Sequence, residues 1–333
     1  LKKQTWKSLT ISLLVMIVVL AGCGKSSEES SGDNKAAKGK IFKIGINQYV
    51  EHPSLDEATV GFKEAIKENG LKVDYDEQNA QGDTNSVQTM AKKMVSENVD
   101  LIFANATPSA QASLNATSDI PIIFASVADP VGAKLVKSMD HTGPNITGTT
   151  HTNPHAIPKT VAFIDEQTDA KTVGLIYNKG EINAVSQVNS VKAAMKGTDL
   201  LPVEATVTTS AEVKQAAQSL VGRADVFYIV TDNTVVSALE SVIGVARNKN
   251  IPLFVGELDS VKRGGFAAYG FDFREVGYEA GKMAVKVLKG EKKPSELPVQ
   301  YPKDLRLVIN KKAAKEMGVK IKPEWEKEAD FIK

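Results

Sequence analysis

The stretch Val99–Pro130, VDLIFANATPSAQASLNATSDIPIIFASVADP, decides the fold. It reads as a buried strand (Val99–Ala104), a short helix (Pro108–Ala116) and a second buried strand (Ile120–Ala125). Each strand ends in small polar residues: Asn105 and Thr107 after the first, Ser126 and Asp129 after the second. In an open parallel α/β sheet, ligands bind in the crevice beyond the carboxyl ends of the strands. Thr107 is expected to cap the helix, with Pro108 at its first position, where proline is best tolerated. Unpaired backbone N–H groups at such a start favour an anion such as a carboxylate.

The pattern returns further along. Ala224–Leu239, ADVFYIVTDNTVVSAL, repeats strand, polar turn and helix, and Asn250–Ser260, NIPLFVGELDS, echoes Asp119–Pro130. The offsets agree: Asp100 to Asp225 is 125 positions, and Ile120 to Ile251 is 131. Two matched lobes with polar strand ends imply a cleft between them.

A chain of 333 residues is long enough for two lobes, each with its own core. The composition, 42% hydrophobic and 24% charged, excludes wholesale disorder. Lys2, Lys3 and Lys7 form a basic start before the apolar run Leu9–Leu20 (LTISLLVMIVVL), which is shorter than a membrane span of roughly 20 residues and fits a signal-peptide core. Without those three lysines, 41 basic residues become 38 against 40 acidic ones, a net charge of −2. A near-neutral surface gives no electrostatic footprint for nucleic acid. The run closes with Leu20-Ala21-Gly22-Cys23, which resembles a bacterial lipobox; the resemblance implies cleavage before Cys23, lipidation of that residue and anchorage at the outer face of the cell membrane. Cys23 is the only cysteine, so no intrachain disulfide is possible. Gly24–Lys40 is polar and lacks an apolar face, as a tether would.

From Ile41 onward strands and helices alternate. Ile41–Asn47 reads as a strand. Ser54-Leu55-Asp56-Glu57 has capping-box spacing before a helix that stops at Asn69-Gly70. Leu71–Tyr75 is a strand, and a helix follows from about Asn85. The second half carries strand Thr172–Tyr177, a helix capped by Asn183, strand Val203–Val207, a capping box at Thr209–Glu212, strand Val226–Val230, helix Val235–Ala246 and strand Pro252–Val255. Phe266–Tyr269 is expected to cross back, helix Arg274–Leu288 to pack on the first lobe, and the tail around Trp325 to return to the second. The alternation predicts an α/β architecture of two doubly wound parallel-sheet lobes joined by a three-segment hinge. The expected division is 1–22 leader, 23–40 tether, 41–150 with 271–298 as the first lobe, and 151–270 with 299–333 as the second.

Familiar catalytic signatures are missing: no nucleophile elbow, no phosphate loop, and no dinucleotide fingerprint after the first strand. That agrees with a binding protein, and no cofactor is expected. His52, His141, His151 and His155 raise a metal site. Pro144, Pro154 and Pro158 interrupt the stretch that holds three of them, so solvated loop histidines are the better reading and no metal is expected.

Tyr49–Asp56 (YVEHPSLD), Asn79–Asp83 (NAQGD), Ala106–Gln111 (ATPSAQ), Ala128–Gly132 (ADPVG) and Thr231–Ser241 (TDNTVVSALES) resemble the substrate-binding lipoproteins of bacterial ABC importers, and more narrowly the TrpX-like aromatic amino-acid family. The resemblance implies a type I periplasmic-binding-protein fold and no cofactor. It also implies capture of a small solute such as tryptophan or phenylalanine, and delivery to a permease driven by a cytoplasmic ATPase. A ligand-sensing subunit of a signalling system, a binder of a sugar-like solute and a secreted enzyme are the rivals.

Geometry and resemblance together give the candidate site. Thr107, with the helix start behind it, and Ser126 are expected to take the ligand carboxylate. Asp129, Asp232 or Asp259 would face the ammonium, with Asp232 favoured because its Thr-Asp-Asn context matches the family. Thr231, Asn233 and Asn183 would close from the second lobe, Ser54 from the first loop, and Tyr49 or Tyr269 would offer a ring face. Ser54, Thr107, Asn183 and Asn233 serve equally as plain helix caps, Asp129 and Asp259 as turn residues, and the tyrosines as packing.

Overall fold

The computed structural model describes residues 39–302 and 304–333. The basic start, the apolar run, Cys23 and nearly all of the tether lie outside them. Among the described residues no helix is long and apolar enough to cross a membrane.

The first sheet begins with β1 (Ile41–Gln48), followed by α1 (Pro53–Glu68), β2 (Lys72–Asn79), α2 (Thr84–Ser96), β3 (Leu101–Asn105), α3 (Thr107–Ala116), β4 (Ile122–Val127) and β5 (Ile146–Thr150). Its strands are parallel and ordered β2-β1-β3-β4-β5. The chain then builds α4 (Ala156–Gln167), β6 (Thr172–Asn178), α5 (Ile182–Ala194), β7 (Leu201–Val207), α6 (Val213–Ser219), β8 (Val226–Ile229), α7 (Asn233–Ser237), α8 (Leu239–Lys249), β9 (Leu253–Val255), α9 (Leu258–Arg263) and β10 (Ala267–Gly270). It returns through α10 (Phe273–Leu288) and ends with β11 (Arg306–Asn310), α11 (Lys311–Glu316) and β12 (Ala329–Ile332). The second sheet is ordered β12-β11-β10-β9-β8-β6-β7, with only the β10–β11 pair antiparallel.

The internal repeat is visible in single hydrogen bonds. Asp100 accepts the backbone N–H of Lys43 at 2.8 Å, and Asp225 that of Lys171 at 2.9 Å. Ile102 N–H reaches Pro121 O at 2.9 Å, and Phe227 N–H reaches Pro252 O at 2.9 Å. Both lobes therefore lock their central strands in the same way, and the polar strand ends of both come out on corresponding edges.

The cores are separate. Phe62 stacks on Phe103 at 3.9 Å in the first lobe, against Val276, Ala280 and Ala284 of α10. In the second, Phe163, Phe254, Phe266 and Trp325 form an aromatic cluster that ties the tail to the sheet. The α1–α10 contact requires glycine: a Cβ on Gly277 would lie 1.8 Å from Ala58 O, and one on Gly61 2.0 Å from Arg274 O. This is why α10 docks on the first lobe although it follows a strand of the second.

Some local expectations fail. Pro53 takes the first position of α1 and His52 the cap, so Ser54 is inside the helix and caps nothing. Ala106 occupies the cap position of α3 at φ 91°, which places Thr107 in the first turn. Glu181, not Asn183, precedes α5. The helix expected over Val235–Ala246 is two helices that break at Ala238.

Candidate functional site

The polar strand ends of the two lobes meet across a small cavity of about 10 Å³. From the first lobe come His52, Ser54 and Leu55 at the start of α1 and Ser126 at the end of β4. From the second come Asn183 on α5, Thr231, Asp232, Asn233 and Val236 after β8, and Glu257 after β9. His151 and Phe273 lie where the chain passes between the sheets, their rings 5.3 Å apart. Direct bonds close the cleft: Ser54 Oγ donates to Glu257 Oε2 at 2.5 Å, and Ser186 Oγ to Asp129 Oδ2 at 3.1 Å. His151 Nε2 also lies 2.7 Å from Thr231 Oγ1.

Of the residues singled out in the sequence, Ser54, Ser126, Asn183, Thr231, Asp232 and Asn233 line this cavity. Thr107 does not line it; it is buried in the first turn of α3, its hydroxyl without a partner. Tyr49 lines a neighbouring groove of about 400 Å³ with Pro108, Gln111 and Glu181, and its hydroxyl donates to Gly82 O at 2.8 Å. Asp129 stands at the rim, where it also accepts the Gly132 N–H at 2.7 Å. Asp259 is buried, with Oδ1 paired to Lys262 at 2.8 Å and Oδ2 without a partner, and Tyr269 packs beside Phe163 in the second core. Neither Asp259 nor Tyr269 lines the cavity.

The reading of the histidines is corrected. His141 and His155 are exposed, but His52 and His151 are buried in the cleft wall. Burial lowers His52 to about 3, helped by the charge of Arg263, and lowers His151 to about 4, so both are neutral at ordinary pH. No group of His, Cys, Asp and Glu side chains among the described residues is disposed to hold a metal ion.

Three buried acids define the electrostatics. Glu181 accepts from Asn183 Nδ2, from the N–H and Nδ2 of Asn233, and from the N–H and Oγ1 of Thr234. Asp232 accepts Asn178 N–H at 2.6 Å and Val235 N–H at 2.8 Å, capping α7. Glu257 accepts Ser54, Ser260 and the Asp259 N–H. Burial, and then the charge of Glu181, push Asp232 well above the usual carboxylate range; burial, and then Asp259, raise Glu257. Among the described residues no lysine or arginine forms an ion pair with any of the three. Their bond partners are neutral N–H and O–H groups.

The first lobe presents the opposite character. The starts of α1 and α3 carry no side-chain cap. Ser126 sits at φ 58° and Ala106 at φ 91°, left-handed conformations that cost about 1–3 kcal/mol each. Thr107 Oγ1, Ser126 Oγ and His52 Nδ1 are buried without partners, as are His151 Nδ1 and Asn183 Oδ1 from the other walls. An orphaned buried polar atom costs roughly 1–3 kcal/mol. Of these residues, His52, Ser126, His151 and Asn183 line the cavity.

Glu181, Glu257 and the buried histidines were missed in the sequence. The two glutamates follow strand ends as Asp232 does, and that position was their available signal.

Comparison with known proteins agrees with this geometry. Residues 43–333 match the family model of the ABC transporter substrate binding protein. The chain is 41% identical over 326 residues to a tyrosine-binding protein of Clostridioides difficile, covering 96% of this chain and 94% of that one. It superposes on an ABC domain from Streptococcus pneumoniae solved with L-Trp, with a TM-score of 0.84 and 34% identity, covering 88% of this chain and all of the other. A ligand-free, open substrate-binding protein from Clostridium difficile is more similar in sequence, at 39%, over 88% of this chain and 99% of its own. Yet its TM-score is only 0.65. The lobes here are thus disposed as in the tryptophan-bound protein, which accords with the bonds that span the cleft. The chain belongs to the ABC transporter substrate-binding protein family.

Proposed function

We propose that this protein captures an aromatic amino acid between its lobes and hands it to an ABC permease, held at the membrane by a lipid on Cys23. Its family works outside the cytoplasm and is in general non-enzymatic. The observation that carries the reading is the polarity of the cleft: uncapped helix starts with orphaned hydroxyls on one side, buried acids without an ion-pair partner on the other. A zwitterion matches it. Its carboxylate is favoured at the starts of α1 and α3, beside Thr107 and Ser126, where helix N-termini attract anions. Its ammonium offsets the charge crowded into Glu181 and Asp232. The tyrosine-binding relative and the tryptophan-bound neighbour support an aromatic side chain.

A cavity of about 10 Å³ has room for little more than one water, so the lobes part to admit a guest and close on it. The three strand connections act as the hinge, with boundaries near residues 150, 270 and 299. Differential affinity for the closed form drives the motion.

Thermal shift and calorimetry with tyrosine, tryptophan and phenylalanine test the proposal. So do tyramine, which lacks the carboxylate, and 4-hydroxyphenylpropionate, which lacks the amine. Binding of the amino acids with loss of both truncated analogues is expected. Full binding of either analogue refutes the zwitterion assignment. Radiolabelled uptake in cells with and without Cys23→Ala tests anchoring and delivery.

A further inference from the structure

The second lobe fixes the orientation and tautomer of one imidazole in the cleft. Gln187 Nε2 donates to two carbonyls, Asn183 O at 3.2 Å and Thr231 O at 3.3 Å, neither of which can donate in return. Its Oε1 accepts the Thr231 N–H at 3.3 Å, which settles which end of the amide is oxygen. Thr231 Oγ1 lies 2.7 Å from that same Oε1, so the hydroxyl proton points to Gln187. Thr231 Oγ1 therefore accepts from His151 Nε2, 2.7 Å away, and the ring carries its one proton on Nε2. Nδ1 is left as a bare acceptor, buried and without a donor, because the Ser126 backbone carbonyl that the ring also meets can itself only accept. The ring lines the cavity beside that of Phe273, and Leu55 and Val236 belong to the same lining. Once a guest has displaced water from the closed site, that acceptor needs a donor from the guest.

We infer that His151 recognises a hydrogen-bond donor on the ligand's aromatic side chain, a phenolic O–H or an indole N–H, and that Gln187 is a positioning residue that sets its tautomer through Thr231. The inference rests on the aromatic amino-acid reading. It makes phenylalanine, which has no ring donor, the poor ligand, because binding it leaves Nδ1 unpaired in a closed site.

The test is calorimetry at pH 7 with L-tyrosine, L-tryptophan and L-phenylalanine. The wild-type protein should prefer tyrosine and tryptophan over phenylalanine by about 10- to 100-fold. His151→Phe should bring the three to within about threefold of one another, the residual spread being packing. Gln187→Leu frees the Thr231 hydroxyl to donate to Nε2 and moves the ring proton to Nδ1. A phenol can accept from that N–H and an indole cannot, so Gln187→Leu should penalise tryptophan more than tyrosine. A purely structural role would lower all three affinities together. Equal wild-type affinity for phenylalanine overturns the inference, as does an unchanged ligand ratio in His151→Phe or in Gln187→Leu. Should His151→Phe fail to fold, Gln187→Leu decides alone. If none of the three ligands binds the wild-type protein, the aromatic amino-acid reading itself falls.

Discussion

Ser54→Ala removes one hydroxyl, and its effect should fall on closure alone. Ser54 and Glu257 are 203 residues apart and belong to opposite lobes; the bond between them, 2.5 Å long, exists only when the cleft is shut. In an open form both groups find water, so the substitution leaves that form nearly untouched. A hydrogen bond to an ionised acceptor contributes about 1.5–3 kcal/mol net. Removing it should shift the closing equilibrium by roughly 10- to 150-fold toward open, at 1.4 kcal/mol per factor of ten. Where the open form dominates without ligand, apparent affinity falls by the same factor. The loss should appear in the dissociation rate, because encounter takes place with the open cleft. Stopped-flow fluorescence and calorimetry measure both quantities, and a double-mutant cycle with Glu257→Gln isolates the pair. An affinity within twofold of wild type refutes the latch. So does a drop in ligand-free melting temperature with unchanged dissociation.

Acidification should destabilise the fold through its buried histidines. Each is neutral when folded and takes up a proton near 6.5 when unfolded, so stability is lost as pH falls below 6.5 toward 4 for His151 and 3 for His52. By pH 5 each accounts for about 2 kcal/mol. Denaturant titrations at pH 7 and 5 should show the loss, and His151→Phe should recover its share. Glu257 pulls the other way, since its raised carboxyl gains stability as pH falls toward the ordinary value of 4.5. Glu257→Gln should therefore steepen the acid loss. Gly277→Ala forces a methyl into Ala58 O and should cost about 1–3 kcal/mol in denaturant unfolding without changing ligand preference. Ala106→Gly relieves a φ of 91° and should gain about 1 kcal/mol in the same assay, after the loss of a buried methyl.

The two-lobe fold was legible because each lobe repeats one local solution: an acid before a buried strand, then Ile-Pro before the next. Asp100 and Asp225 make matching bonds, and so do Ile102 and Phe227. The site was legible as a region, since strand ends in such sheets converge whatever their residues. Its individual contacts were not. His52 and His151 sit among polar and proline residues that read as solvated loop, and only the approach of two distant segments buries them. Ser54 and Asn183 read as caps because capping and cleft-facing positions differ by one or two residues. Pro53 starts α1 one residue before Ser54, which frees Ser54 to reach Glu257. Asp259 is a candidate in the sequence and Glu257 is not, although both are acids at one helix start; only the geometry shows that Glu257 lines the cleft.

The two sides of the cleft differ in how complete they are, and that sets the order of events. Each second-lobe acid already holds at least two donors from its own lobe, N–H groups for Glu181 and Asp232 and one N–H with the Ser260 hydroxyl for Glu257, so their half of the site is formed before any guest arrives. The first-lobe hydroxyls of Thr107 and Ser126 have none. A cation entering the cleft meets a fixed acidic surface at once, whereas the carboxylate partners come into range only as the lobes shut. Asp232→Asn keeps an acceptor for α7 while removing charge, and should slow association and weaken its dependence on salt. Ser126→Ala should leave association alone and speed dissociation about tenfold, the value of one hydrogen bond to a charged group. If Asp232→Asn alters only dissociation and Ser126→Ala only association, docking begins on the first lobe and the sequence of steps is reversed.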